Sequence, residues 1–311
     1  MSWKKLGLVF DLKSNKPSWL KSHAMTPTPV VIDEVIRVYY TGRNHKGESL
    51  ISFVDFDIND PNKIIYVHDK PIMNIGGIGT FDDCGTICTC AIKEKGKIYL
   101  YYTAYSISHK VPYKNAIGLA VSEDNGYTFK RMFDGPVLDR SKNEPYFVIS
   151  PWVIKDQSKW HMWYASATNW ILINDKPESL YHIKYAYSND GMEWLRNNIS
   201  CITPLNPTEA NARPTVIIED NKFKMWFTYR GSNDFRDGAE SYKISYAEAQ
   251  LTEPSIWIRK DQELILGENI EGVDDLMQAY PSVIVVKGKK LLYYNGNGFG
   301  VNGICLAISN K

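Results

Sequence analysis

Six carboxylates stand just ahead of apolar segments spread along this chain: Asp82 and Asp83 in "TFDDCGT", Glu144 in "NEPYFVIS", Glu209 in "TEANARP", and Asp274 and Asp275 in "VDDLMQAYP". Carboxyl groups gathered at one place can break an acetal, one as a protonated acid on the leaving oxygen and a second as ionised base or nucleophile. The same stretches and the longer polar segments carry Arg43, Arg213 and Arg230, the amides Asn295 and Asn297, the imidazole of His23, and the rings of Tyr146, Trp170 and Tyr280. Aromatic rings stack on the apolar face of a sugar, while carboxylates, guanidinium groups and amides bond its hydroxyls in fixed directions. The mixture suits a carbohydrate, and the expected partner is a sugar-containing substrate. Each group also has a plain role: Asp82 and Asp274 fit turn or cap positions better than their neighbours Asp83 and Asp275 do, and His23 fits a hydrogen-bonded structural imidazole.

These residues are far apart in sequence, so something must gather them. An aromatic strand recurs at Tyr40, Tyr102, Tyr164, Phe227 and Tyr294, at intervals of 62, 62, 63 and 67 residues. A fixed period filled with short strands is the mark of a propeller or solenoid. Each unit opens on an apolar strand ("TPVVI" 28–32, "CTCAI" 88–92, "SPWVI" 150–154, "RPTVI" 213–217, "YPSVI" 280–284) and has a third strand that alternates with period two, as in "AIGLAVS" and "KISYAEA". The last unit is one strand short, and "MSWKKLGLVFDL" at the start resembles a fourth strand. The expectation is an all-β protein, residues 1–311 forming a single five-bladed β-propeller whose fifth blade is closed by the N-terminal strand. Antiparallel succession then places the entries to the first strands and the loops between strands two and three on one face, at the mouth of a central channel.

Net charge is +1, from 36 basic and 35 acidic side chains, so no strong field favours nucleic acid or an anionic membrane. The first apolar run is too short for a leader peptide, and no later run approaches a membrane span, so a cytoplasmic location is expected. The 5 cysteines, Cys84, Cys88, Cys90, Cys201 and Cys305, are odd in number, and "CGTICTC" has no second Cys or His pair at zinc spacing. Buried thiols are expected, with no metal and no cofactor. "SEDNGYTF" and "SNDGMEW" look like Asp-box turns, in which the Asp caps the turn backbone.

With "HAMTPTP", "FDDCGT", "YKNAIGLAVSEDNGYTF", "MWYAS", "ARPTVI", "FTYRG" and "YPSVIVV", the whole chain resembles the five-bladed glycosidase superfamily that includes glycoside hydrolase families 43, 32 and 68 and the mannoside phosphorylases. The resemblance is nearest to uncharacterised glycosidase-like proteins. It implies a base in an Asp-Pro pair on the first strand of blade one, where this chain has Thr28 before Pro29, and an acid near Ile149 or Ser150, with Glu144 several residues upstream. A catalytic pair is therefore expected among Asp83, Glu209 and Asp275. Two other readings stand beside hydrolysis. One is glycosyl transfer or phosphorolysis, with Arg43, His45, Lys46 and Arg236 meeting a phosphate; the other is a propeller that binds carbohydrate without turnover.

Overall fold

Tyr, Trp, Val and Ile alternate with small and polar residues along most of the chain, a pattern that fits a pleated, half-buried surface. A computed structural model describes residues 1–310, with 20 strands and only single helical turns between them. The first group is β2 (Leu20–Ile32), β3 (Val35–Asn44), β4 (Ser49–Asp57) and β5 (Ile64–Val67), preceded by β1 (Ser2–Asp11). The second is β6 (Gly85–Glu94), β7 (Lys97–Ile107), β8 (Tyr113–Ser122) and β9 (Lys130–Arg131), and the third is β10 (Val148–Asp156), β11 (Lys159–Ile173), β12 (Lys176–Ser188) and β13 (Leu195–Ser200). A fourth comprises β14 (Ala210–Glu219), β15 (Lys222–Arg230), β16 (Lys243–Gln250) and β17 (Ile258–Arg259), and the chain ends with β18 (Ala279–Val286), β19 (Lys289–Asn295) and β20 (Gly303–Asn310).

Each group is an antiparallel meander. The first two are joined into one eight-stranded sheet by a single parallel pair, Ser49 with Gly85. The N-terminal strand behaves as expected: β1 pairs antiparallel with β20, so the chain start completes the last sheet. Apolar cores lie between successive sheets. Trp163, Tyr164, Met225 and Phe227 fill one, Tyr39, Phe53, Leu100 and Tyr102 another, and Tyr293 and Leu306 of the last sheet pack with Tyr40 and Phe56 of the first. All five thiols are free, and burial pushes those of Cys90 and Cys305 up to about 12. Among the described residues no helix is long and apolar enough to cross a membrane.

One irregularity repeats. The first strands of four groups are bulged at Thr26-Pro27, Ser150-Pro151, Arg213-Pro214 and Tyr280-Pro281, and the residue before each proline has positive φ: 54°, 54°, 52° and 58°. Proline disfavours the right-handed helical region for its predecessor, and left-handed backbone costs a non-glycine residue about 1–3 kcal/mol. Neighbouring sheets hold it in place: the N–H of Thr26 donates to Asn295 Oδ1 (2.8 Å), that of Ser150 to Thr103 Oγ1 (2.8 Å) and that of Tyr280 to Thr228 Oγ1 (3.0 Å). The bulge corrects the sequence alignment of the first group, where Thr26-Pro27, rather than Thr28-Pro29, is in register with the other X-Pro pairs.

Candidate functional site

The carboxylates ahead of the first strands divide into two kinds. Asp82, Glu144, Glu209 and Asp274 are buried between strands of their own sheets. Asp82 accepts from the Tyr102 hydroxyl (3.0 Å) and from Arg131 Nε (2.7 Å). Glu144 accepts from Tyr164 (3.0 Å) and Arg196 (2.7 Å), and Asp274 from Tyr294 (2.7 Å), with Lys5 Nζ at 2.7 Å. Glu209 takes the same place in its sheet: Arg259 donates to it at 2.7 Å, and Phe227 stands where the other sheets have tyrosine. Each latch thus ties the entry to a first strand, an aromatic residue of the second and a cation of the outermost. Burial opposes the charge on Glu144, but Arg196, Ser166 and Lys184 outweigh it and hold its carboxyl below the ordinary range. In the first group Tyr40 has no such partner, because residues 12–32 contain no Asp or Glu.

Asp83 and Asp275 are half-buried and outside these latches. Asp83 Oδ2 accepts from the Gly79 N–H (3.1 Å), while Oδ1 is buried with no hydrogen-bond partner. Burial, reinforced by the Asp83 carboxylate, keeps the adjacent Cys84 thiol protonated above its ordinary value. Asp275 accepts from Asn297 Nδ2 (2.6 Å), which lowers its pKa, and Asn297 Oδ1 in turn takes the N–H groups of Leu276 and Met277. Asn297 is therefore the tie of its own loop.

Tyr280 is the residue around which the rest gather. It is half-buried, its bulge carries it off the strand ladder, and its phenol is pushed well up, by burial first and then by the nearby phenols of Tyr181 and Tyr113, against the pull of Arg43 and Arg230. Tyr242 and Phe299 lie against its ring, with centroids 6.0 and 6.2 Å away. Arg43, near the end of β3, is exposed, and its guanidinium makes no hydrogen bond or ion pair among the described residues. His23 is beside it, at φ 67°, with Nδ1 2.8 Å from Ser22 Oγ; burial, then Arg43, lowers its pKa to about 4, so it is neutral at pH 7.

The remaining residues from the sequence reading are largely engaged elsewhere. Arg213 is wholly buried and spans the centre between first strands, donating to the backbone carbonyls of Thr89 and Pro27 and to Thr28 Oγ1. Arg230 is buried too: its guanidinium lies 3.8 Å above the Phe235 ring and donates to Tyr181, Tyr242, Gly231 O and Ser179 O. Asn295 has both ends occupied, by the Thr26 N–H and by the carbonyls of Ala24 and Gly303. Trp170 lies within β11, its ring 5.4 Å from Tyr113 and 5.7 Å from Phe147, and half-buried Tyr146 packs on the same cluster. The structure thus brings His23, Arg43, Tyr280 and the aromatic cluster of Tyr146 and Trp170 to one face, and puts Glu209, Arg213 and Asn295 in the framework. Sequence reasoning missed Tyr181, inside β12, and Tyr242, just ahead of β16, although both open the same third-strand pattern ("YHIKYAYS", "YKISYAEA"), a repeat that could have marked them.

No known family model matches the chain. Two proteins of Mycobacterium tuberculosis, the uncharacterized proteins MT1551 and Rv1502, are each 31% identical to it over 311 residues, 99% of both chains. Among solved structures, a glycosyl hydrolase from Bacteroides ovatus superposes with a TM-score of 0.68 at 14% identity, over 100% of this chain and 90% of that one. A thermostable family-43 glycoside hydrolase does so with a TM-score of 0.63 at 17% identity, over 94% and 91%. A structure described with the GH130 mannoside phosphorylases, among which are hydrolases of β-1,2 mannosidic linkages, gives 0.64 at 16% identity, over 94% and 85%. At such identities the likeness is one of fold.

Proposed function

The chain belongs to the family of the mycobacterial proteins MT1551 and Rv1502 and has the fold of propeller-type glycoside hydrolases, and we propose that it is a five-bladed propeller enzyme that cleaves a glycosidic bond at its channel mouth. One observation carries the reading. Of the six carboxylates at the first-strand entries, Asp83 alone has a buried oxygen with no hydrogen-bond partner. A carboxyl group one bond short can hold or deliver a proton at a glycosidic oxygen once a side-chain rotation brings that buried oxygen to the surface. Tyr280, Tyr146 and Trp170 contribute rings for the sugar, and His23, neutral at pH 7, is a hydrogen-bonding group. In this reading Glu209 is a structural latch, and Asp275 is the second carboxylate.

Arg43 supports a second reading. A guanidinium with no carboxylate partner beside the substrate is suited to a phosphate, so the acceptor that takes the glycosyl group would be phosphate rather than water, and Asp83 would be the only carboxyl group required. The deciding experiment is a screen with nitrophenyl glycosides and β-linked disaccharides, with and without inorganic phosphate, on the wild type and on Asp83→Asn. Turnover that is lost in Asp83→Asn supports bond cleavage, and phosphate dependence selects phosphorolysis. Saturable sugar binding without turnover would replace both by a binding protein.

A further inference from the structure

A cavity of about 450 Å³ opens between the β6–β9 group and the β10–β13 sheet, beside the hairpin turns at Lys95 and Ser158 and the Asp-box turn at Asn189–Met192. These turns are at the strand ends opposite those that carry Arg43 and Tyr280. The volume is within the range of about 300–1,000 Å³ usual for small-molecule sites. We propose that this groove binds a neutral sugar ring, as a site separate from the one around Asp83.

The equivalent junction one group earlier explains why the groove is open. There, Arg37 of β3 faces Asp55 of β4 across the ladder, and its guanidinium reaches the first Asp-box turn, donating to Asn125 O at 2.7 Å while bonding Asp55 at 2.7 Å. It also lies 3.7 Å above the Phe53 ring and 4.4 Å above Tyr127, so the space is filled. In the second junction the same ladder positions are Tyr99 and Val121. Only the deeper contact is kept: Tyr39 donates to Gly126 O (3.1 Å) in the first junction and Tyr101 to Gly191 O (2.7 Å) in the second. Exchanging an Arg–Asp pair for Tyr–Val removes the group that reached the turn and leaves an aromatic wall in its place.

The lining fits a sugar better than an ion or a lipid. The half-buried Tyr99 ring is the apolar surface open to the groove, with Tyr101, Leu119 and Trp160 buried beneath it, and the polar side holds Lys155 and Asp190. Lys155 is paired with Glu94 at 2.5 Å, and the charge of Asp190, held by the N–H groups of Met192 and Glu193, is balanced by Lys95 in the same lining, so the groove as a whole has no net charge to attract an ion. Both keep lone pairs or protons for hydroxyls, beside the Tyr99 ring, whose face matches the C–H face of a pyranose.

Calorimetric titration with the methyl α- and β-pyranosides of glucose, mannose and galactose tests this. The expected result is saturable binding of at least one glycoside, with Kd on the order of millimolar. That component is retained in Arg43→Ala and weakened at least about tenfold in Tyr99→Arg/Val121→Asp, which rebuilds the filled junction. Tyr99→Ala, which removes the ring and adds no charge, is the second variant should the double substitution not fold. Failure of every glycoside to bind, binding unchanged by the Tyr99 variants, or equal competition by cyclohexanol would each overturn the proposal.

Discussion

Asp82 and Asp83 are neighbours in the chain and opposites in the structure. Both oxygens of Asp82 are taken, Oδ2 by Tyr102 and Arg131 and Oδ1 by Thr80, whereas one oxygen of Asp83 has no partner. Asp274 and Asp275 repeat the contrast, the first held by Tyr294, Lys5 and the Ile270 N–H, the second by one amide of its own loop. Both pairs stand in turns just ahead of a first strand, and the turn sends the first carboxylate of each pair in to the latch and leaves the second outside it. Acidity counted along the chain therefore mixes two populations. One closes four of the five strand groups, and the other stands outside the latches.

The comparison is most severely strained by emptying a latch. Glu144→Ala leaves Arg196 and Lys184 without the carboxylate they share, and breaking a buried ion pair in this way costs about 3–5 kcal/mol. Urea unfolding should show that loss, and a loss under about 1 kcal/mol, the value of a surface pair, would mean the latch is not holding the sheet. Arg43→Ala probes the open population. It should leave unfolding unchanged and raise KM roughly ten- to hundredfold, the equivalent of about 1.5–3 kcal/mol for one charged hydrogen bond to substrate. A third effect is in pH. His23 on the exposed face and His161 in the core both have pKa values lowered to about 4, His23 by burial and Arg43 and His161 by burial and Lys159. Below the ordinary value of 6.5 the unfolded chain takes up protons that the folded one refuses until about 4. Stability is thus complete above that window and declines as pH falls through it. Unfolding midpoints at pH 7, 5.5 and 4.5 should follow this slope, and His161→Gln should flatten it.

Much of the fold was legible because it is periodic. The aromatic second strands, the alternating third strands and the N-terminal closing strand are all local patterns, and the pairing of β1 with β20 follows from them. The site was less legible because occupancy of a carboxylate is decided by a distant partner. Glu209 reads like Asp83 until Arg259, on a two-residue outer strand, is seen to reach it, and the cation of Asp274 comes from the other end of the chain. A spacing of 20 residues between carboxylate and tyrosine, at Asp82, Glu144 and Asp274, is the one sequence trace of the latches, and it fails at Glu209, whose equivalent aromatic residue is Phe227. Arg213 was placed on the right strand, but nothing local shows that a strained bulge turns it inward onto carbonyls of two other groups.

The division between framework and open carboxylates is tested most directly by measuring turnover and thermal unfolding together on Asp83→Asn and Glu209→Gln, with a substrate from the glycoside screen. The account predicts that Asp83→Asn abolishes turnover at an unchanged midpoint, while Glu209→Gln lowers the midpoint by several degrees and, at a temperature where it is folded, keeps most of the turnover. Full activity in Asp83→Asn, or a fully stable but inactive Glu209→Gln, would contradict it.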